Sequence, residues 1–270
     1  MESLRLIEKW PVPNAAAAVV RRDGTVAGTY GPVGQRFRLA SVTKPLSAYA
    51  ALVGYEEGVF ELDDPAGPGG STVRHLLAHA SGLAFDEPRV MAAPGTRRIY
   101  SNAGFDVLGD TLTRAAGIPF AEYLRQAVLA PLGMTATTLP GSPAADGVST
   151  VEDLTRFAAE LQAPQLLHPS TVATATTVAF PGLTGVLPGY GRQSPNDWGL
   201  GYEIRATKSP HWTGALSSPS TFGHFGQSGT FLWVDPEAGA ACVVLTDRDF
   251  GEWAVRVWPE LTDAVLFELR

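Results

Sequence analysis

Ser41-Val42-Thr43-Lys44-Pro45-Leu46-Ser47-Ala48-Tyr49-Ala50-Ala51-Leu52-Val53 is the stretch around which the rest of the chain arranges itself. Leu46, Tyr49, Ala50, Leu52 and Val53 recur at helical spacing, which predicts a buried helix from Ser41 to Gly58. Pro45 falls in the opening turns, where a missing N–H costs least. Residues three apart on a helix share a face, so the Lys44 amine can reach the Ser41 hydroxyl. A serine hydroxyl is a weak nucleophile until a base takes its proton. A lysine is a base only when neutral, and burial or nearby positive charge drives it there. The N-terminal end of a helix also favours negative charge developing beside it.

Working outward, Ala15 to Arg21 and Thr25 to Tyr30 flank Arg22-Asp23-Gly24, a hairpin with an Asp-Gly turn. Gln35 to Leu39 alternates and leads into Ser41. Downstream, the middle of the chain is helical. Ser71 or Thr72 caps a helix from Val73 to His79, which Gly82 closes. Asn102 to Ala116 and Pro119 to Leu129 follow, parted by Gly117. Ser149-Thr150-Val151-Glu152 is a capping box for a helix to Leu161. Pro181 to Pro195, rich in Gly and Pro, reads as loop. Strands return at Gly201 to Ala206, Ser220 to Gly226, Thr230 to Asp235 and Ala240 to Thr246, and Glu252 to Leu269 is an amphipathic closing helix. Strands at both ends with helices between predict an α/β chain of α+β type, with one sheet built from both termini. Residues 1–64 and 196–270 form the expected sheet domain, and 65–195 an inserted helical lobe. The cleft between the two is the expected place for a site.

Composition narrows the function. The chain has 270 residues, 45% of them hydrophobic, enough for a sizeable core. A net charge of -7 argues against a nucleic-acid partner. The start, Met1 to Lys9, lacks the pattern of a signal peptide, and Ala15 to Val20 is too short to span a bilayer, so no membrane association is expected. Cys242 is the one cysteine and sits in an apolar run, as a buried core side chain does. These features predict a cytoplasmic protein. Lysine is scarce: three against 17 arginines, so the place of Lys9, Lys44 and Lys208 each calls for a reason.

Two further motifs join Ser41 and Lys44. Tyr100-Ser101-Asn102 precedes the helix from Asn102, and His224-Phe225-Gly226 lies on a predicted strand. By composition, S-x-x-K, Y-x-N and H-x-G occur together by chance at under about 0.01. In this order they resemble the β-lactamase-related serine hydrolases: class C β-lactamases, DD-peptidases, D-aminopeptidases and esterases of one fold. The similarity extends to Phe37-Arg38-Leu39-Ala40, to Thr72 through Leu83, to Pro131-Leu132-Gly133-Met134, to Ser149 through Phe157 and to Thr230 through Pro236.

The resemblance implies a β-lactamase/transpeptidase-like fold, an antiparallel sheet flanked by helices, and a role for each residue. Ser41 attacks a carbonyl and is acylated. Lys44 takes or shares its proton, and Tyr100 relays protons to the leaving group. Either Lys44 or Tyr100 is the base. Asn102 holds Lys44 and orients the substrate. His224 stands beside Tyr100, Gly226 belongs to the same strand motif, and the main-chain N–H groups of Ser41 and Gln227 form an oxyanion hole. No cofactor and no metal is implied. His224 replaces the more usual lysine of the strand motif, and histidine is only partly charged near neutral pH. Substrates bearing a carboxylate there gain less, and H-x-G occurs in the family's esterases and D-aminopeptidases, which favours an esterase or amide hydrolase over a resistance enzyme or wall peptidase. A small-ester carboxylesterase is the expectation, with β-lactamase, D-aminopeptidase or DD-peptidase activity as alternatives. The partner expected is a small-molecule ester, amide or lactam. A binding protein that keeps the fold without turnover is the alternative of another class. The short chain predicts trimmed loops and a shallow, open site.

Other residues have plainer readings. His75 and His79 stand one helical turn apart, as metal ligands can, but without H-E-x-x-H or a third ligand they read as structural. Ser228 lacks the spacing of a nucleophile elbow. Ser81 reads as a turn residue. Trp198, Trp212 and Trp233 line a pocket or anchor the core.

Overall fold

The computed structural model describes all 270 residues. The hairpin forms as read: β1 (Ala15–Arg21) and β2 (Val26–Tyr30) pair antiparallel around a turn in which Gly24 takes φ +83°. After β3 (Phe37–Arg38), a single 3-10 turn, Ala40–Val42, carries Ser41 into helix α1 (Thr43–Glu56). The helix therefore begins two residues later than the sequence indicated, and Ser41 stands on the turn that leads into it.

Helix α2 (Val73–Leu77) stops earlier than expected, because His79 adopts φ +52° and turns the chain before Gly82. Thr72 and His75 form its capping box, which gives His75 a structural place. Helix α3 (Asn102–Ala116) has the expected bounds: the Ser101 hydroxyl accepts from Gly104 N–H at one end and Gly117 sits at φ +68° at the other. Helix α4 (Phe120–Leu124) runs on into a π turn, Arg125–Leu129. Strand β4 (Val148–Ser149) pairs with β3, and helix α5 (Val151–Gln162) follows. Its cap is Thr150, which accepts from Asp153 N–H, rather than Ser149, whose hydroxyl meets Thr137.

A short helix α6 (Pro169–Ala175) follows, and a hairpin of β5 (Gly185–Leu187) and β6 (Gly191–Gln193) occupies the stretch read as loop. The C-terminal strands are β7 (Glu203–Ile204), β8 (Phe222–Gly226), β9 (Thr230–Asp235) and β10 (Ala240–Thr246), and α7 (Glu252–Leu269) closes the chain. The six-stranded sheet runs β2-β1-β10-β9-β8-β7, antiparallel throughout, so the two ends of the chain meet at β1 and β10.

Period-two alternation divides the core between the faces of this sheet. Ala16, Ala18, Val20, Ala241, Val243 and Leu245 face a large core that includes residues of α1, α3 and α5. Ala17, Val19, Cys242 and Val244 face a smaller one built with Trp233, Trp253 and Trp258. Helix α5 packs directly on β1 and β10. No helix is long and apolar enough to cross a membrane.

Candidate active site

Strand β8 and the Ser41 turn touch, and a glycine permits it. A Cβ on Gly226 would lie 2.4 Å from the Leu39 carbonyl oxygen and 3.1 Å from Ser41 N. The β8–β9 turn is then tied down: Ser228 Oγ donates to Arg38 O at 2.7 Å, and Thr230 Oγ1 to Leu39 O at 2.8 Å. Ser228 is thus a tether. Ala40, just before Ser41, sits at φ +44°, a region that a side chain adopts only at a cost of about 1–3 kcal/mol. Such strain is a frequent mark of a turn that presents a functional group.

The turn also orients main-chain donors. Its first hydrogen bond runs from Val42 N–H to Leu39 O, which leaves the Ser41 N–H outside the turn's own bonding. The Gln227 N–H, just past the end of β8, has no acceptor in the protein. Both donors lie where β8 abuts the Ser41 turn.

Lys44 is fully buried, and its amine contacts the Ser41 hydroxyl at 3.3 Å, the Asn102 Oδ1 at 2.5 Å and the Ala144 carbonyl at 3.0 Å. No carboxylate touches it. Burial pushes the ammonium down to about 7, against an opposing pull from the charges of Asp106 and Asp86. Asn102 is oriented in turn by its Nδ2 donating to Asp86 at 2.7 Å. The Lys44 nitrogen also lies 4.7 Å from the centre of the Tyr100 ring.

Tyr100 and His224 meet at 3.4 Å between phenol oxygen and Nε2. His224 Nδ1 lies 2.6 Å from the Phe225 carbonyl, which can only accept, so Nδ1 carries the proton. Nε2 is then a bare acceptor and the Tyr100 hydroxyl donates to it. Burial, reinforced by the Lys44 charge, pushes His224 down to about 3, so the ring is neutral at pH 7. Burial raises the Tyr100 phenol above its ordinary value, and the adjacent Ser41 hydroxyl works against that. Beneath Tyr100 lies the buried His79 ring, 4.6 Å away, whose Nδ1 accepts from Ser101 N–H. The middle residue of Tyr100-Ser101-Asn102 therefore anchors the loop while its neighbours face the site.

The structure brings Ser41, Lys44, Tyr100, Asn102, His224, Gly226 and Gln227 into one place. Ser41 opens into a slot of roughly 80 Å³ whose other walls include Phe85, Leu187, Pro188, Trp198 and Phe225. The β5–β6 hairpin supplies Leu187 and Pro188 as one wall of the slot. Of the three tryptophans singled out, Trp198 lines the slot; Trp212 and Trp233 are buried in the smaller core.

Several functional groups were invisible in the sequence. The Ala144 carbonyl is main chain and leaves no side-chain signal. Asp86 sits 16 residues from Asn102 in a turn that no motif marks. Glu203, also in the slot's lining, belongs to a buried group: its carboxylate pairs with Lys208 and accepts from His211 at 2.9 Å and Trp212 Nε1 at 2.8 Å. The scarcity of lysine was the one available hint, since Lys208 is one of three.

Comparison with known proteins follows the same outline. A family model described as Beta-lactamase matches residues 5–267. The D-alanyl-D-alanine-carboxypeptidase/endopeptidase AmpH of Escherichia coli K12 is 29% identical over 143 residues, 39% of this chain and 37% of its own length. The chain thus spans well under half the length of that relative. A crystal structure described as a beta-lactamase from Mycobacterium bovis superposes with a TM-score of 0.98 at 58% identity, covering 99% of both chains. EstCE1, described as a hydrolase with promiscuous acyltransferase activity, superposes with a TM-score of 0.81 over 98% of this chain and 96% of its own, at 20% identity.

Proposed function

The chain belongs to the beta-lactamase family, whose members act on small esters, amides or lactams, and is a serine hydrolase; on that premise we propose that it is a carboxylesterase for small esters, working through an acyl-enzyme on Ser41. The carrying observation is the neutral environment of the nucleophile: a buried lysine without a carboxylate partner beside Ser41, and a neutral His224 opposite it. A penicillin or a D-Ala-D-Ala peptide brings a carboxylate, and His224 offers it no positive charge. An ester acyl chain needs only the apolar walls of Phe85, Leu187, Pro188 and Trp198. The solved neighbour described as a hydrolase with promiscuous acyltransferase activity fits this reading.

The groups divide the chemistry as follows. Neutral Lys44 accepts the Ser41 proton as Oγ bonds to the acyl carbon. The carbonyl oxygen becomes an oxyanion held by the Ser41 and Gln227 N–H groups, each able to contribute about 3 kcal/mol to the transition state. As the tetrahedral intermediate collapses, the ester C–O bond breaks and Tyr100 gives its phenolic proton to the departing alkoxide. The Lys44 ammonium then reprotonates Tyr100, leaving acyl-Ser41, free alcohol and a neutral amine. Water repeats the sequence on the acyl-enzyme: one of its protons passes through the same amine and phenol back to Ser41 Oγ, and the carboxylic acid leaves. Burial raises the Tyr100 phenol, which supports Lys44 as the resting base and the phenol as the acid in this reading.

The test is release of nitrophenol from p-nitrophenyl butyrate, with Ser41→Ala alongside. Release that vanishes in the variant supports the reading. Release that survives the substitution places the activity elsewhere. No release from either protein, with turnover of a D-amino-acid amide or a cephalosporin instead, moves the assignment to those substrates.

A further inference from the structure

Beside the Ser41 slot lies a second, open depression of roughly 410 Å³. The two share Phe85, Tyr100 and Pro188, so they are neighbouring compartments of one groove. No residue of β8 lines the second one. Its walls come instead from the chain before Tyr100 and from the β5–β6 hairpin.

Three arginines lie in this wall, and they differ in use. Arg98 is buried and spent on the fold, its guanidinium donating to the carbonyls of Asn196, Ala78, Ala179 and Phe180. Those bonds, with Arg98 N–H to Thr184 O at 3.0 Å and the Arg98–Gly185 bridge, lock the hairpin against the segment leading to Tyr100. Arg97 and Arg192 are exposed and have neither an ion pair nor a side-chain hydrogen bond in the protein. Both are set by this frame: Arg97 precedes the locked Arg98, and Arg192 pairs across the hairpin with Val186 on the face opposite buried Leu187.

Two unpartnered guanidinium groups in one depression run against a chain of net charge -7. The arginine at 89, by contrast, is matched by Glu87. The surroundings are apolar: Val186, 59% exposed, and Phe85, 51% exposed, stand among the few large hydrophobic side chains left open to water. A groove that begins at a nucleophile, continues along apolar side chains and ends at two forked cations has the order of a substrate with those parts.

We propose that Arg97 and Arg192 form a subsite for an anionic headgroup, carboxylate or phosphate, carried at the far end of the ester substrate. The acyl carbonyl lies at Ser41, a short apolar chain lies along Phe85, Pro188 and Val186, and the headgroup is held by the two guanidinium forks. The neutral His224 and this subsite are complementary: charge recognition is moved from the strand beside the nucleophile to the opposite end of the groove. The assignment rests on the hydrolase reading of Ser41 for its substrate, but the binding itself does not need turnover.

The test compares mono-p-nitrophenyl adipate with neutral p-nitrophenyl hexanoate, which has the same chain length. Wild type is expected to prefer the half-ester in kcat/KM, and Arg97→Ala/Arg192→Ala is expected to lower that preference about 10-fold, through KM, while hexanoate turnover stays within about twofold. The preference should also weaken with added salt. A preference that the double variant leaves unchanged overturns the subsite. Binding of monomethyl adipate and of hexyl phosphate to Ser41→Ala, read by calorimetry, separates the two readings and the two headgroups. Arginine-dependent binding without Ser41-dependent turnover keeps the subsite and sinks the esterase. Turnover without arginine-dependent binding of either anion does the reverse. Tighter arginine-dependent binding of hexyl phosphate assigns the headgroup as phosphate.

Discussion

Two lysines are buried in this protein, in neighbouring regions, and they illustrate opposite uses of a buried cation. Lys44 and Lys208 are 0% and 4% exposed. Burial lowers the pKa of both. Lys208 is compensated: Glu203 pairs with it, and the carbonyls of Asp197 and Ile204 accept from it. Lys44 meets only a hydroxyl, an amide oxygen and a carbonyl, all neutral. At Lys208 the Glu203 carboxylate opposes the effect of burial, and the pair's contribution is structural. The unpaired amine at Lys44 falls to about 7 and can exchange a proton with Ser41 at working pH. Burial alone does not make a base; burial without a carboxylate does.

This contrast can be broken first by exchanging each lysine for methionine. Lys44→Met is expected to lower kcat/KM for p-nitrophenyl butyrate by at least about 10³-fold, comparable to removing a general base together with its positioning. Lys208→Met should leave Ser41 chemistry in place but cost about 3–5 kcal/mol of folding stability, because the Glu203 carboxylate is left buried without its cation. Urea unfolding of the two variants checks this. A Lys208→Met variant as stable as wild type, or a Lys44→Met variant as active, would erase the distinction.

A smaller effect tests the seat of Ser41. In Gly226→Ala the new Cβ must push the Leu39 carbonyl and Thr230 Oγ1, which it would approach at 2.4 and 2.6 Å. A shift of about 1 Å at the oxyanion donors is expected to lower kcat by roughly 10²-fold with little change in KM. Steady-state kinetics with p-nitrophenyl butyrate show it, and an undiminished kcat would detach Gly226 from the oxyanion geometry.

The pH dependence of stability tests the same contrast without turnover. Lys44 has its folded pKa lowered from the ordinary lysine value to about 7, so between those limits the unfolded chain binds more protons than the folded one. Its contribution therefore makes folding more favourable as pH rises through that window, by at most about 1.4 kcal/mol per unit. Below about pH 7 the full penalty for burying the charge is present. The stability of wild type relative to Lys44→Met should rise from pH 7 to pH 10 and be flat below pH 6. A flat difference throughout would mean that the folded amine keeps an ordinary pKa.

The same contrast explains what could be read in the sequence. Ser41 and Lys44 could be paired in the sequence because a three-residue spacing at a helix start puts them on one face, whereas Tyr100 and Asn102 were picked out by the resemblance of Tyr100-Ser101-Asn102, which opens a helix capped by Ser101 and ended at Gly117. The long strands β9 and β10 and helix α7 were legible from their apolar pattern. What stayed hidden was made by long-range meetings. Glu203, Lys208, His211 and Trp212 carry no recognisable spacing, and the Ala144 carbonyl carries no side chain. The β5–β6 hairpin was read as loop because Pro188, Gly189 and Gly191 dominate it and each strand is three residues long. The hairpin is also joined to a segment far away in the sequence, through the Arg98–Gly185 bridge. The neutrality of His224 was hidden for the same reason, since only the assembled fold buries it beside Lys44.

The most direct test of a neutral Lys44 acting on Ser41 is the rate of the first acylation as a function of pH. The pre-steady-state burst of nitrophenol from p-nitrophenyl butyrate, followed from pH 5 to pH 9.5, is expected to rise along a single limb with an apparent pKa near 7 and then level off, and Lys44→Met should lose the limb together with most of the rate. Burial shifts His224 down and Tyr100 up, away from that range, so neither is expected to add a second limb. A burst rate independent of pH across the window, or a limb that persists in Lys44→Met, would contradict the assignment of Lys44 as the base.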